Sequence, residues 1–349
     1  MIRTSFAQPF ERTWMTRSHA AGSIRFAAAW LAFVAATASL ASAADDIYPG
    51  DTAVIVKDKV ELGLKDKMAI MLSKGDHLQV TEVRGKWIGG YATVDGKRYT
   101  GWVDRTEVKL LEPTPEDVAV IELPDKPDDA AAVAALKKLG VELELNDKGN
   151  VHSAVCTESE VGDKDLQHFK GLHQLSTLEL SGRPITDEGM KALAGLNVLQ
   201  DLYMEDAKIT DESFATIKTM TNLEVLALPA TKVKGPGLVH MLELASLRVL
   251  NLTDCEIDDD ALKPLEKMPQ LEVLAIPRTK VTSVGLAHLR PVVKLRVLNL
   301  IGCDVDDAGL EHLKGLANLR MLYVRDTKVT LDAIDAFKDE APSLAIYDD

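Results

Sequence analysis

Aromatic residues make up only 5% of this 349-residue chain, although 46% of it is hydrophobic. A core with so few rings must be aliphatic. Cysteine is scarcer still: Cys156, Cys255 and Cys303 are the whole set, which excludes a small disulfide-stapled scaffold. The chain has no phosphate-cradling glycine loop, H-E-x-x-H helix, nucleophile elbow or dinucleotide-binding glycine fingerprint. No acid–base pair and no metal-ligand set is marked by spacing, so no catalytic residue, cofactor or metal is expected. Basic residues are outnumbered, 40 Lys and Arg against 54 Asp and Glu, a net charge of −14. An acidic surface opposes nucleic acid and anionic membranes as general partners.

The N-terminus differs from the rest. Residues 1–43 carry Arg3, Arg12, Arg17 and Arg25 with one Glu, so the remainder holds the difference between −14 and +3, that is −17. An apolar run over 26–40 follows, ending at Ala41, Ser42 and Ala43, an A-x-A cleavage pattern. Residues 1–43 therefore read as an export signal, with Met15 an alternative start to Met1. The run is short for a membrane span, and no later run is apolar enough, so no stable membrane insertion is expected after cleavage. An uncleaved N-terminal anchor is the alternative.

Residues 47–111 alternate in short stretches, 52–56, 77–83, 86–88 and 101–103, separated by Gly75, Asp76, Gly85, Asp95 and Gly96. Lys74, Gly75 and Asp76, the run 80–83, Gly85 to Trp87 and Gly101 to Val103 make this segment resemble a bacterial SH3-like barrel. That resemblance implies cell-wall or peptide binding. Trp87 and Trp102 are candidates to line a groove; the alternative is that one of them fills the barrel core. Residues 112–129 hold Pro113, Pro115, Pro124 and Pro127 among acids, a semi-rigid linker with a possible edge strand at 118–121. Residues 130–139 suit a short helix ended by Gly140. A hairpin through Asp147 and Gly149 then leads on, so 130–150 reads as an N-terminal cap.

From Val151 the chain repeats. Leucine-type starts fall at Val151, Leu175, Leu199, Leu223, Leu247, Leu271, Leu295 and Leu319, each 24 residues on, and Leu344 opens a final strand. Within a unit the apolar period changes from 2 to about 3.6, which reads as strand, turn, helix. The consensus L-x-x-L-x-L-x-x-(T/C)-x-(V/I) with D-x-G-L behind it resembles the leucine-rich repeat. Within that family it is similar to the cysteine-containing or ribonuclease-inhibitor-like subtype and to planctomycete exported repeat proteins. The resemblance implies, for 151–349, an α/β solenoid with a curved parallel sheet, convex helices and a binding surface on its concave face.

Position nine runs Ser159, Arg183, Ala207, Thr231, Cys255, Thr279, Cys303 and Thr327. Small polar groups there can satisfy buried backbone, while Arg183 is expected to point out or distort its turn. Cys255 and Cys303 sit two strands apart, about 10 Å at parallel-strand spacing, too far for a disulfide. Thr or Asp at the helix starts (Thr186, Asp187, Thr210, Asp211, Asp258, Asp259, Asp306, Asp307, Thr330) reads as N-capping rather than calcium binding. His168, His240, His288 and His312 share one convex position, where His288 and His312 could approach. As solvated surface groups they make a poor zinc site.

Outward strand positions carry the candidate site. Glu224, Arg248, Glu272 and Arg296 alternate in charge as a self-neutralising ladder beside a Val225, Val249, Val273, Val297 stripe. Tyr203, Glu205 and Asp206 mark one end, and Arg320, Tyr323 and Arg325 the other, with Asn251 and Asn299 on the floor between. The expected function is an exported protein-binding scaffold, in the periplasm or cell envelope or secreted, holding a protein or peptide ligand. One alternative is a cell-wall binder acting through the barrel with the repeats as spacer. Another is an enzyme using an unrecognised site between the domains. A ubiquitin-ligase-type adaptor is disfavoured by the export signal.

Overall fold

The computed structural model describes residues 52–55, 57, 59–64, 67–74, 76–84, 86–94, 97–110, 124, 126–341 and 344–348. The export signal at 1–43, the start at Met15, the turns at Gly75, Gly85, Asp95 and Gly96, and the edge strand at 118–121 lie outside them. So does most of the linker.

Among the described residues there are two sheets. The first has seven antiparallel strands: β1 (Thr52–Ile55), β2 (Val60–Leu64), β3 (Lys67–Leu72), β4 (His77–Arg84), β5 (Trp87–Val94), β6 (Lys97–Asp104) and β7 (Val108–Leu110). Their order is β3-β2-β6-β5-β4-β1-β7. Alternation buries one face, with Ile55, Leu62, Leu72, Leu78, Ile88 and Val103 as its core.

The second sheet has ten strands in sequence order. β8 (Glu142–Leu145) is antiparallel to β9 (Val151–Val155). The rest are parallel: β10 (Thr177–Glu179), β11 (Asp201–Tyr203), β12 (Val225–Ala227), β13 (Val249–Asn251), β14 (Val273–Ala275), β15 (Val297–Asn299), β16 (Met321–Tyr323) and β17 (Ala345–Tyr347). From β9 to β16 partners are 24 residues apart, for example Leu250 with Leu274 and Leu274 with Leu298. Leu226, Leu250, Leu274 and Leu298 all point into one continuous aliphatic core running from Leu136 to Ile346. The helix α1 (Ala130–Lys138), capped by Asp129, and strand β8 close its N-terminal end. Gly140 follows the helix at φ +81, the left-handed turn that glycine enters without strain.

The convex side departs from the expectation of α-helices. Residues 163–171, 236–243 and 259–267 are 3-10 segments, while the α-helices are confined to 187–190, 214–217, 307–313 and 331–340 within the repeats. A 3-10 segment rises about 2.0 Å per residue against about 1.5 Å for α. A 24-residue unit has few residues left after its strand and turn, and stretching them spans the same distance. Pro264 sits inside one such segment, where a regular α-helix would resist it.

Arg183 neither points outward nor disrupts its turn. It is half-buried and its Nη1 donates to the Ser159 carbonyl of the preceding unit, so the guanidinium does the work of the small polar groups elsewhere. Those groups behave as expected: Thr231 Oγ1 and Cys255 Sγ both donate to the Leu228 carbonyl, at 2.8 and 3.2 Å. Thr279 and Cys303 repeat the arrangement on Ile276.

The Thr and Asp residues at the convex starts do more than cap. Thr210, Asp258, Asp306 and Thr330 accept capping bonds from their own segments. The next residue, where it is Asp, reaches into the following unit instead. Asp259 accepts from Thr282 N at 2.7 Å and from Thr282 Oγ1 at 2.8 Å, and Asp163, Asp187 and Asp307 hold Thr186, Thr210 and Thr330 likewise. These carboxylates are tie-bars between turns. Among the described residues no group of three His, Cys, Asp or Glu could hold a metal ion.

Candidate functional site

Each strand of the repeat sheet sends two columns of side chains away from the core. One column reads Thr177, Asp201, Val225, Val249, Val273, Val297, Met321, Ala345. The other reads Glu179, Tyr203, Ala227, Asn251, Ala275, Asn299, Tyr323, Tyr347 in the same register. In the middle of this open face Val225, Val249, Val273 and Val297 pack with Ala227 and Ala275 as a second apolar cluster, separate from the core. They are nearly all withdrawn from solvent, because parallel strands about 4.8 Å apart bring equivalent side chains into contact.

The two ends have opposite charge. At the N-terminal end, the β10–β11 register puts Glu179 beside Tyr203 and Thr177 beside Asp201. Tyr203 is buried, and burial followed by Asp201 and Glu179 pushes its hydroxyl pKa up. Burial also raises Asp201, against a bond from Thr177 Oγ1 at 3.1 Å. Glu205, two residues past Tyr203 and beyond the end of β11, is pushed up to about 7 by burial and by Glu179, Asp206 and Asp254. Asp206 itself is exposed at φ +57, so its first role is in the turn. The same left-handed position recurs as Gly182, Ala230, Asp254, Arg278, Gly302 and Asp326. Asp tolerates that conformation through local side-chain bonding.

At the C-terminal end the Tyr323 ring stacks on Tyr347, centroids 4.6 Å apart and planes within 11°. Arg320 Nη1 donates to the carbonyls of Ala317 and Leu319 at 3.0 and 2.9 Å. Arg325 lies 3.4 Å from Asp326. The structure thus gathers Arg320, Tyr323 and Arg325 at one end, and Tyr203, Glu205 and Asp206 at the other. Asn251 is nearly fully buried, and its Oδ1 accepts from Thr253 N and Oγ1. Asn299 Oδ1 accepts from Ile301 N. Those two acceptors brace turns, which a strand-position argument does not reveal. The ladder pairs Glu272 with Arg248 at 2.9 Å and with Arg296 at 3.9 Å.

Three residues of this face escaped sequence reasoning. Glu179 occupies the column of Tyr203, Asp201 the column of Val225, and Tyr347 extends the column past Tyr323. All three were findable by carrying both outward columns through every unit to the last strand.

In the first sheet, Trp87 pairs with Asp104 and Trp102 with Gly89, whereas Ile88 and Val103 pair in the core. Both tryptophans therefore lie on the face away from the core, as diagonal neighbours over Gly89. Trp87 is 44% exposed with Lys86 Nζ 4.9 Å from its ring, and Trp102 is half-buried. Neither fills the core; aliphatic residues do.

The convex histidines do not meet. His288 Nδ1 lies 2.5 Å from Glu266, and His312 Nδ1 lies 2.8 Å from Arg290, each partner one unit back. The three cysteines are free thiols, buried, with Cys156 pushed up to about 12 and Cys255 raised, both chiefly by burial. In the native protein none should react with an aromatic disulfide reagent at more than about one hundredth of its rate in denaturant. Absorbance-monitored labelling would show this, and fast labelling of one thiol would contradict the buried placement.

A family model described as Leucine Rich repeat matches residues 172–194, 243–265 and 293–314. No curated protein matches the sequence. Among solved structures, an internalin (InlF) from Listeria monocytogenes is 20% identical at a TM-score of 0.45, over 55% of this chain and 52% of that one. This chain thus spans about half of that internalin. Internalin C2 (InlC2) from the same organism is 19% identical at 0.46, over 64% and 93%. Among the described residues no helix is long and apolar enough to cross a membrane. The three matched segments, which are similar to the leucine-rich repeat, fall on units that the parallel sheet holds in 24-residue register.

Proposed function

We propose that this chain is an exported, non-enzymatic scaffold that holds a protein or peptide partner on the open face of its repeat sheet, the concave face of the solenoid. The observation that carries this is the polarity of the face. An acidic end, an apolar floor and a basic, aromatic end follow one another along the sheet. Tyr203 and Tyr323 are five strands apart, about 24 Å at parallel spacing, which suits a polypeptide segment rather than a small molecule. A rigid, preformed sheet limits the entropy lost on binding. In pull-downs from envelope extract, replacing Tyr203 and Tyr323 together by Ala should lower partner recovery about tenfold, the loss of one or two hot spots. Circular dichroism would verify that the variant is folded. Unchanged recovery would sink the assignment to this face.

A second reading gives residues 47–111 the binding role, as an SH3-like barrel attached to the cell wall or a peptide. It is favoured by the seven short antiparallel strands around a small aliphatic core and by Trp87 and Trp102 on one outer face. Aromatics on an exposed sheet face are suited to gripping extended chains. Sedimentation with peptidoglycan separates the readings: loss in a Trp87→Ala, Trp102→Ala variant supports the barrel, and no sedimentation of the native chain removes it. The 1–43 leader supports export, and 112–129 fits a linker between the two units.

A further inference from the structure

We propose that Glu179, Asp201, Tyr203 and Glu205 form a subsite for one cationic side chain, a lysine or arginine, of a protein partner. This rests on the reading of the open face as the partner-binding surface.

Glu179 is the centre of the subsite. It is 3% exposed, and its Oε1 accepts from Ser181 N at 2.8 Å. Its Oε2 is enclosed and has no hydrogen-bond partner among the described residues. A buried carboxylate oxygen left unsatisfied is costly, and the neighbouring Glu205 carboxylate adds to the cost. Several other acids of the sheet and its turns are matched: Glu272 with Arg248, Asp254 with Arg278, Glu256 with Lys280, Asp304 with Lys328. Among the described residues no Lys or Arg forms an ion pair with Glu179, Asp201 or Glu205. The mismatch is therefore local to one end of the face.

The walls favour an organic cation. The register sets Val225 beside Asp201 and Ala227 beside Tyr203, an apolar lane for an aliphatic stem. The register sets Tyr203 directly beside Glu179, so an aromatic ring, a group that attracts cations, borders the carboxylate. No three of the donors are grouped to hold a metal ion.

Binding should couple to pH. Glu205 is faced by Glu179 from the preceding strand, by Asp206 on its own turn and by Asp254, which Arg278 already engages. Glu224 adds to the charge around Asp201. A cation binds the ionised forms, so affinity should rise as pH climbs through about 7, where Glu205 gives up its proton.

The test uses the full chain and blocked pentapeptides of four alanines around a central Lys, Arg or Glu, titrated calorimetrically or by amide NMR shifts. The Lys and Arg peptides should bind and the Glu peptide should not. Binding should be about threefold or more tighter at pH 8 than at pH 5.5, and Glu179→Gln should weaken it about tenfold. Glu188→Gln, at an exposed acid on the convex side, serves as the control for non-specific attraction to an acidic chain. If Glu179→Gln does not fold, Asp201→Asn takes its place. Equal binding of the Lys and Glu peptides, or native affinity in both subsite variants, overturns the subsite. Peptide discrimination that survives alongside unchanged recovery in the Tyr203, Tyr323 variant would instead overturn the face as the partner site and leave the cation subsite standing.

Discussion

Gly285→Ala is expected to destabilise the repeat array by about 2–4 kcal/mol, a large effect for one added methyl. A Cβ built at Gly285 would lie 2.3 Å from Asp259 Oδ1 and 3.1 Å from the Asp259 Cα. Asp259 cannot yield without releasing both of its bonds to Thr282, one of which satisfies a backbone N–H. At this position of the unit the glycine thus leaves the space in which the Asp259 tie-bar of the previous unit sits. Gly189 has the same relation to Asp163. Where the unit carries Ser213 instead, its hydroxyl bonds Asp187 directly, so the intrusion becomes a contact. Gly315→Ala, with no atom within 4 Å of the new Cβ, should be neutral. Denaturant titration by circular dichroism would compare Gly285→Ala, Asp259→Ala and the pair. Because both changes break the same bonds, the double variant should cost less than the sum by about 1 kcal/mol or more. Additive losses, or a native midpoint for Gly285→Ala, would refute the tie-bar account.

That motif shows how far the sequence could be read. The 24-residue register was plain, because Leu202, Leu226, Leu250, Leu274 and Leu298 must each enter the same core and any slip would expose them. The left-handed turn at Asp206, Ala230, Asp254 and Arg278 was hidden, since glycine marks it in only two units, at Gly182 and Gly302. The Asp and Thr residues at the convex starts were legible as caps, but their second bond crosses to a residue 23 positions on. Local rules do not reach that far. The choice of 3-10 over α was likewise illegible, because apolar spacing is similar in both and the deciding quantity is the distance to be bridged. At the candidate site, alternation located the open face and its two ends. It could not tell that Asn251 is committed to its own turn, or that Glu179 is buried without a counter-charge. The first depends on Thr253, two residues on, and the second on which charges the neighbouring units do or do not bring alongside.

The uncompensated acids have a second consequence, for stability against pH. Glu179, Asp201 and Glu205 all have pKa values raised above their ordinary range, with burial the first cause in each. A carboxyl whose folded pKa exceeds its unfolded one binds more protons folded than unfolded between the two values, so stability falls as pH rises through that interval. For Glu205 the interval runs from the ordinary glutamate value of 4.5 to about 7. The depressed carboxyls Asp187 and Asp306 act oppositely, but their stability is gained below the ordinary Asp value of 3.8 and is complete before this interval begins. The thermal midpoint of the ligand-free chain should therefore decline from about pH 5 to pH 8. Glu179→Gln should raise the midpoint at pH 8, by removing a buried charge with an unsatisfied oxygen worth about 1–3 kcal/mol, and should raise it less at pH 5. Glu205→Gln should flatten the slope between the two. Calorimetry at half-unit pH steps would measure all three. A midpoint that rises from pH 5 to pH 8, or a Glu179→Gln effect equal at both ends, would mean that these acids are neutralised in the native protein. A cationic side chain docked among them should reverse the trend, since it stabilises the ionised carboxylates that otherwise weigh against the fold, and the largest ligand-induced shift in midpoint should then fall at the alkaline end.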